Sequence, residues 1–217
     1  MLCGVGQTVS MIKNNKPHFG LDDIALIGGG LIEPHALFVR ADDNRWKDIA
    51  DFVRDMRTAS KPLTVSVPDY GSLGDINSVV FQQLSGGRLK IIPYGGGAPA
   101  RNALLSGEVD ATICGLGGAA NLQGSVKGLG YFYKTNPLAD VFPMPRANDV
   151  LDFEMPDFLE IYAYSTLAST PQNILSYLRD SMKQAMGTKQ TRDMAVKQDV
   201  APLAVYMSPE EIDAFAK

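Results

Sequence analysis

Short apolar runs rich in β-branched residues alternate, almost from end to end, with segments whose apolar residues recur at helical spacing, and this alternation restricts the fold more than any other feature. A strand followed each time by a helix predicts an α/β protein with a largely parallel sheet. Ile24 to Ile27, Ala36 to Val39, Leu63 to Val67, Leu89 to Ile92, Val109 to Ile113 and Leu129 to Tyr133 read as strands. Between them, Trp46, Ile49, Ala50, Val53 and Met56 form one helical stripe, and Ile76, Val79, Val80 and Leu84 a second that Gly86 and Gly87 close. A third helix starts at Pro99, after Gly95, Gly96 and Gly97, and ends at Gly107. Dense prolines from 136 to 156 predict a long surface connection. Beyond it, Glu160 to Ala168 reads as a strand long enough to pass from one lobe into another. Thr170 is expected to cap the next helix, and Ser208, Pro209 and Glu211 announce the last as a capping box.

Composition narrows the function. With 217 residues, 45% hydrophobic and 20% charged, the chain has the make-up of an ordinary globular protein. No run approaches the roughly 18 apolar residues of a spanning helix. The opening MLCGVGQ, soon interrupted by Lys13 and Lys16, lacks the pattern of a signal peptide, so the sequence is expected to carry no export signal of its own. A formal charge of −4, with no basic run longer than two residues, argues against nucleic acid as a partner. Cys3 and Cys114 lie far apart, outside any C-x-x-C pair, and nothing favours a disulfide between them. His18 and His35 are the only histidines; they read as surface or boundary residues, and no metal site or cofactor is expected.

No set of residues fills the roles that catalysis needs, so the chain is not expected to be an enzyme. Cys114 reads as a small buried residue at a strand end and Asp110 as structural. The loops that follow the strands are more informative, because ligands of open parallel sheets lie beyond the strands' carboxyl ends. Four stand out: Gly4 to Thr8, Pro68 to Ser72, Tyr94 to Pro99, and Cys114 to Gly118. Their glycines let backbone N–H groups approach a ligand, and the helix starts that follow suit an anion. Phosphate is disfavoured, since no G-x-x-x-x-G-K-[ST] occurs.

The stretch IIPYGGGAPARNALLSGEVDATICGL resembles the signature of the solute-binding receptors of tripartite tricarboxylate transporters, the Bug or TctC-like family. Pro93, Tyr94, Gly96 to Ala100, Leu104, Leu105, Gly107, Val109, Asp110, Gly115 and Leu116 carry the match. Asp23 to Ile27, Trp46 to Phe52, Gly71 and Ser72, Ser169 to Pro171, and Ser208 to Phe215 extend it in order along the chain. The resemblance implies a periplasmic-binding-protein fold, two α/β lobes closing by a hinge on a small organic carboxylate, with membrane subunits of the transporter as partners and the periplasm as location. It also implies the ligand-binding candidates Gly6 and Thr8, Ser72, and Tyr94, Gly96, Gly97 and Ala98, which would hold the carboxylate by amides and hydroxyls without a full positive charge.

The resemblance has departures. Gly95 stands where the family commonly has lysine, Cys114 where it usually has aspartate, and Asp69 and Tyr70 replace small residues. The family's opening strand, P-P-G-G loop and helix have no counterpart, so the first lobe is expected to be incomplete. The lobes are then expected at 1–39, at 40–165, and at 166–217 returning to the first. A ligand-sensing domain of a transcription regulator, built on the same two lobes, is the alternative.

Overall fold

The structure is a computed structural model that describes residues 2–15 and 18–216. In chain order it runs β1 (Leu2–Gly4), α1 (Val5–Asn15), a short 3-10 turn (Leu21–Asp23), β2 (Ile24–Arg40), α2 (Ile49–Thr58), β3 (Leu63–Val67), α3 (Leu73–Ser85), β4 (Leu89–Pro93), α4 (Gly97–Leu105), β5 (Ala111–Gly115), α5 (Leu116–Ala120), β6 (Val126–Tyr131), α6 (Ala147–Val150), β7 (Leu159–Leu167), α7 (Gln172–Met186), α8 (Lys189–Lys197), a second 3-10 turn (Ala201–Leu203) and α9 (Pro209–Ala216). The chain forms two compact units, Met1–Glu33 with Glu160–Lys217, and Pro34–Leu159. It passes from one to the other inside β2 and again at the start of β7.

In the second unit β3 pairs in parallel with β4 and with β5, while the end of β2 runs antiparallel to β5 and to β6. The stripe at Trp46 is buried as the sequence predicts, whereas that of Ile76, Val79, Val80 and Leu84 is not: α3 buries Gly74, Asn77, Ser78 and Phe81, and Val79 and Leu84 are exposed. The stripe beginning at Trp46 becomes helical only from Ile49, because Asp48 caps α2: its side chain accepts from the amides of Ala50 and Asp51 at 2.9 and 3.0 Å. The α2 face of Ile49, Phe52, Val53 and Met56 then joins Trp46, Phe81 and Phe132 in the core, with Trp46 and Phe52 edge to face at 4.8 Å. Cys114 is buried within β5.

Asp110 ties this unit together just before β5. One carboxylate oxygen accepts from the amide and hydroxyl of Thr64, both at 2.8 Å, and the other from Arg45 at 2.8 Å. Burial opposes its ionisation, but Thr64 and Arg45 outweigh that and hold the carboxyl below its ordinary range. Replacing Asp110 with Ala is expected to cost about 2 to 3 kcal/mol in chemical denaturation, since three bonds to one charged group vanish together. Its role is structural.

In the first unit the order is β1–β7–β2. The sequence predicts separate strands at Ile24 to Ile27 and Ala36 to Val39, with Gly28, Gly29 and Gly30 in the stretch between. Instead β2 continues through them for 17 residues. Their missing side chains are what the neighbours require: Gly29 exchanges backbone hydrogen bonds with Met207 at 2.9 and 3.1 Å, and a Cβ on Gly30 would lie 3.1 Å from Met182. Thr170 does not cap α7; its hydroxyl meets that of Thr166 at 3.0 Å, and Pro171 precedes the helix without a side-chain bond. The box at Ser208 is present in both directions, with Ser208 N–H donating to Glu211 at 2.7 Å and Glu211 N–H to Ser208 Oγ at 3.2 Å.

Candidate carboxylate site

Because β3, β4 and β5 are parallel, the loops that follow them emerge at one edge of the second unit's sheet. Two backbone bonds stitch the first pair together: Tyr94 N–H donates to Val67 O at 3.1 Å and Gly96 N–H to Pro68 O at 2.8 Å. The turn into α4 uses φ of 74° at Gly95 and 150° at Gly96, values that L side chains rarely adopt. It leaves the amides of Gly97 and Ala98 at the helix start with no acceptor among the described residues. Pro99 has no N–H to add.

A cation lies over this helix start. A Cβ placed on Gly97 would be 3.0 Å from a guanidinium nitrogen of Arg101, so the Arg101 side chain folds back one turn over Gly97. Arg101 has no carboxylate partner among the described residues. Two unsatisfied amides, the positive end of a helix and an unpaired guanidinium therefore share one place. The sequence reading expects a carboxylate held here without a full positive charge; the Arg101 guanidinium places one beside these amides. Its position four residues after Gly97 could have revealed it, because i and i+4 are neighbours on a helix surface.

Ser72 is buried and caps α3, its Oγ accepting from Asp75 N–H at 3.3 Å. Ser72 and Asp75 have the spacing of a reciprocal capping box, but the Asp75 carboxylate takes Gly71 N–H at 2.8 Å instead. The Ser72 hydroxyl proton and the Leu73 amide have no acceptor among the described residues. Gly74 sets where this helix begins, since its Cβ would come within 2.6 Å of the Ile113 carbonyl oxygen. Tyr94 is half-buried, and its hydroxyl donates to Glu108 Oε1 at 2.8 Å, in the turn after α4. Burial first, and then Glu108, holds the phenol above its ordinary range. Tyr70 is 79% exposed on the loop before α3.

In the first unit, the segment read as a loop from Gly4 to Thr8 is already helical from Val5, which puts Gly6 and Thr8 in the first turns of α1. The Thr8 hydroxyl donates back to Gly4 O at 2.9 Å. Thr8 also lines a cavity of about 250 Å³, mostly apolar with Val5, Leu21, Leu26 and Ile212 but with Lys13 and Asp213 in its lining as well. Gly6 differs, for its amide faces the carboxyl of Glu160 and favours its charged form. Glu160 is only 5% exposed, and burial first, then the neighbouring Glu33, raises its pKa to about 7. His35, in the second unit, is buried with no partner for Nδ1 among the described residues, and burial lowers its pKa to about 4. It is therefore no surface or boundary residue, whereas His18 is exposed.

Among curated protein sequences no significant match is found. Solved structures are similar over most of the chain. MatC from Rhodopseudomonas palustris with bound malate aligns with a TM-score of 0.83 at 17% identity, covering 99% of this chain and 74% of that one. A second R. palustris protein, with adipate, gives 0.74 at 20% identity, over 89% and 64%. A TctC solute-binding protein from Polaromonas gives 0.72 at 18% identity, over 99% and 72%. At such identities these likenesses show the fold, that of periplasmic solute-binding proteins. The profile described as "Tripartite tricarboxylate transporter family receptor" matches residues 6–217. Nothing in the comparisons supports the regulator alternative, and the chain belongs to the tripartite tricarboxylate transporter family of receptors.

Proposed function

We propose that this receptor captures a small organic carboxylate outside the cytoplasm and presents it to the membrane subunits of a tripartite tricarboxylate-type transporter. The observation that carries the reading is the start of α4, where the Gly97 and Ala98 amides and the Arg101 guanidinium are all without protein partners among the described residues. A carboxylate has two oxygens and accepts from both kinds of donor at once. Ser72 and the Leu73 amide, on the adjacent loop, are the second donor set, and Gly6 belongs to the first unit. The malate and adipate of the two R. palustris structures support a ligand with more than one polar end. Family membership supports the extracytoplasmic location and the transporter partner. Binding of this kind needs no covalent chemistry, in keeping with a receptor rather than an enzyme.

Isothermal titration with malate, adipate, succinate and citrate tests the reading. At least one is expected to bind, and Arg101→Gln is expected to weaken it roughly 10- to 100-fold, the loss of one charge-assisted contact. Absence of heat with all four on folded protein, or an unchanged affinity in the variant, would contradict it.

A further inference from the structure

The start of α1 in the first unit is already occupied. Glu160, the second residue of β7, has its carboxyl directed at the junction of β1 and α1: a Cβ on Gly4 would lie 2.2 Å from Oε1 and 2.7 Å from the carboxyl carbon, so only glycine fits there while the carboxyl keeps its place. Glu160 is 5% exposed, Oε1 has no hydrogen-bond partner among the described residues, and the Gly6 amide in the first turn of α1 faces the carboxyl and favours its charged form. Of the elements beside it, β2 brings the buried Glu33, β1 brings Gly4, and the first turn of α1, Val5 to Thr8, carries no charged residue. Tyr162 is the next titratable group along β7.

We propose that Glu160 couples ligand binding to the uptake of a proton, because a ligand carboxylate reaches the Gly6 amide only when Glu160 is neutral. The inference rests on the carboxylate-binding reading above. Two buried carboxyls already share this place, and a third negative charge is tolerated only if one of them is neutral. The balance is simple: ligand carboxylate, Glu160 carboxylate and one solvent proton become a ligand carboxylate accepting a hydrogen bond from the Glu160 acid. The acid proton thereby becomes a donor to the ligand, and the unpartnered Oε1 gains a partner. Below about pH 6 Glu160 already carries the proton, and binding takes up none. Above about pH 7 uptake approaches one proton, and affinity falls by up to about tenfold per pH unit.

The test is titration calorimetry of the full chain with malate and with adipate at pH 6 and pH 8, each in two buffers of different ionisation enthalpy. Uptake near one proton at pH 8 and near zero at pH 6, with tighter binding at pH 6, is expected for wild type. Glu160→Gln, which mimics the neutral acid, should bind about equally at both pH values without uptake. Binding of wild type without uptake at pH 8, or a pH profile shared by wild type and variant, overturns the role of Glu160 and leaves the carboxylate reading standing. Affinity that rises with pH also overturns it. Failure of both probes at both pH values removes the carboxylate reading and this inference with it. The wild-type uptake measurement decides the matter even if the variant does not fold.

Discussion

Glu160→Gln is expected to stabilise the protein by about 3 kcal/mol at pH 8 and to change nothing at pH 4. The sign follows from where the carboxyl titrates. Unfolded, it titrates near its ordinary 4.5; folded, near 7, so between those values the folded state holds a proton that the unfolded state has released. Stability is therefore full below about pH 4.5, falls as pH rises, and levels off above about pH 7. His35 acts in the opposite sense. Its imidazole titrates near 6.5 when unfolded and near 4 when folded, so its contribution is full above about pH 6.5 and is lost as pH falls toward 4. The two effects are similar in size and oppose each other over nearly one window, which keeps the wild type flat there with respect to these groups. Removing one unmasks the other: stability of Glu160→Gln should rise from pH 4 to pH 6.5, and that of His35→Leu should fall from pH 4.5 to pH 7. Urea denaturation at unit steps of pH measures this, and parallel profiles for the wild type and both variants would contradict it. Glu160 and His35 belong to different units, so separate unfolding transitions would assign each effect to its own transition.

Gly74→Ala is expected to destabilise by about 2 to 3 kcal/mol, a large effect for a single methyl group. The added carbon would sit 2.6 Å from the Ile113 carbonyl oxygen and 3.2 Å from Pro68 Cδ, and neither is the end of a flexible side chain. To relieve the overlap, the start of α3 must move off β5. Ser72 and Leu73 move with it, away from donors at the start of α4. Carboxylate affinity should therefore fall about tenfold even under conditions where the variant is folded, roughly the effect of one misplaced hydrogen bond. Gly20→Ala is the control: nothing lies within 4 Å of its Cβ, and a stability change within about 0.5 kcal/mol is expected. A Gly74→Ala protein as stable as the wild type would show that α3 is not held against β5 as described.

The second unit was the more legible half. The strands β3, β4 and β5 and the helices between them follow from local patterns that the sequence states openly: apolar stripes, a capping serine, and glycines where φ is positive. What sequence reading misses is decided by residues distant in the chain. The three glycines of β2 look like a break because nothing nearby reveals that Met182 and Met207 lie against them. Likewise α8 has a weak apolar stripe, mostly exposed, and leaves little periodic signal. Glu160, Glu33 and His35 sit on strands among apolar neighbours, and only the folded chain shows that all three are buried. Within the site, the glycine turn before α4 was readable. Arg101 gives no signal of its own, because one arginine on an amphipathic helix is usually a solvated charge, and its meaning comes from the helix start it covers.

On the proposed reading, main-chain amides at the start of α4, assisted by Arg101, hold the carboxylate. Amide-resolved NMR titration of the labelled chain with malate and with adipate tests this most directly. Saturable shifts at Gly97 and Ala98, with Leu73 following and the Gly97 response much reduced in Arg101→Gln, are the expected result. Saturable binding that leaves the Gly97 and Ala98 amides unmoved would contradict the account.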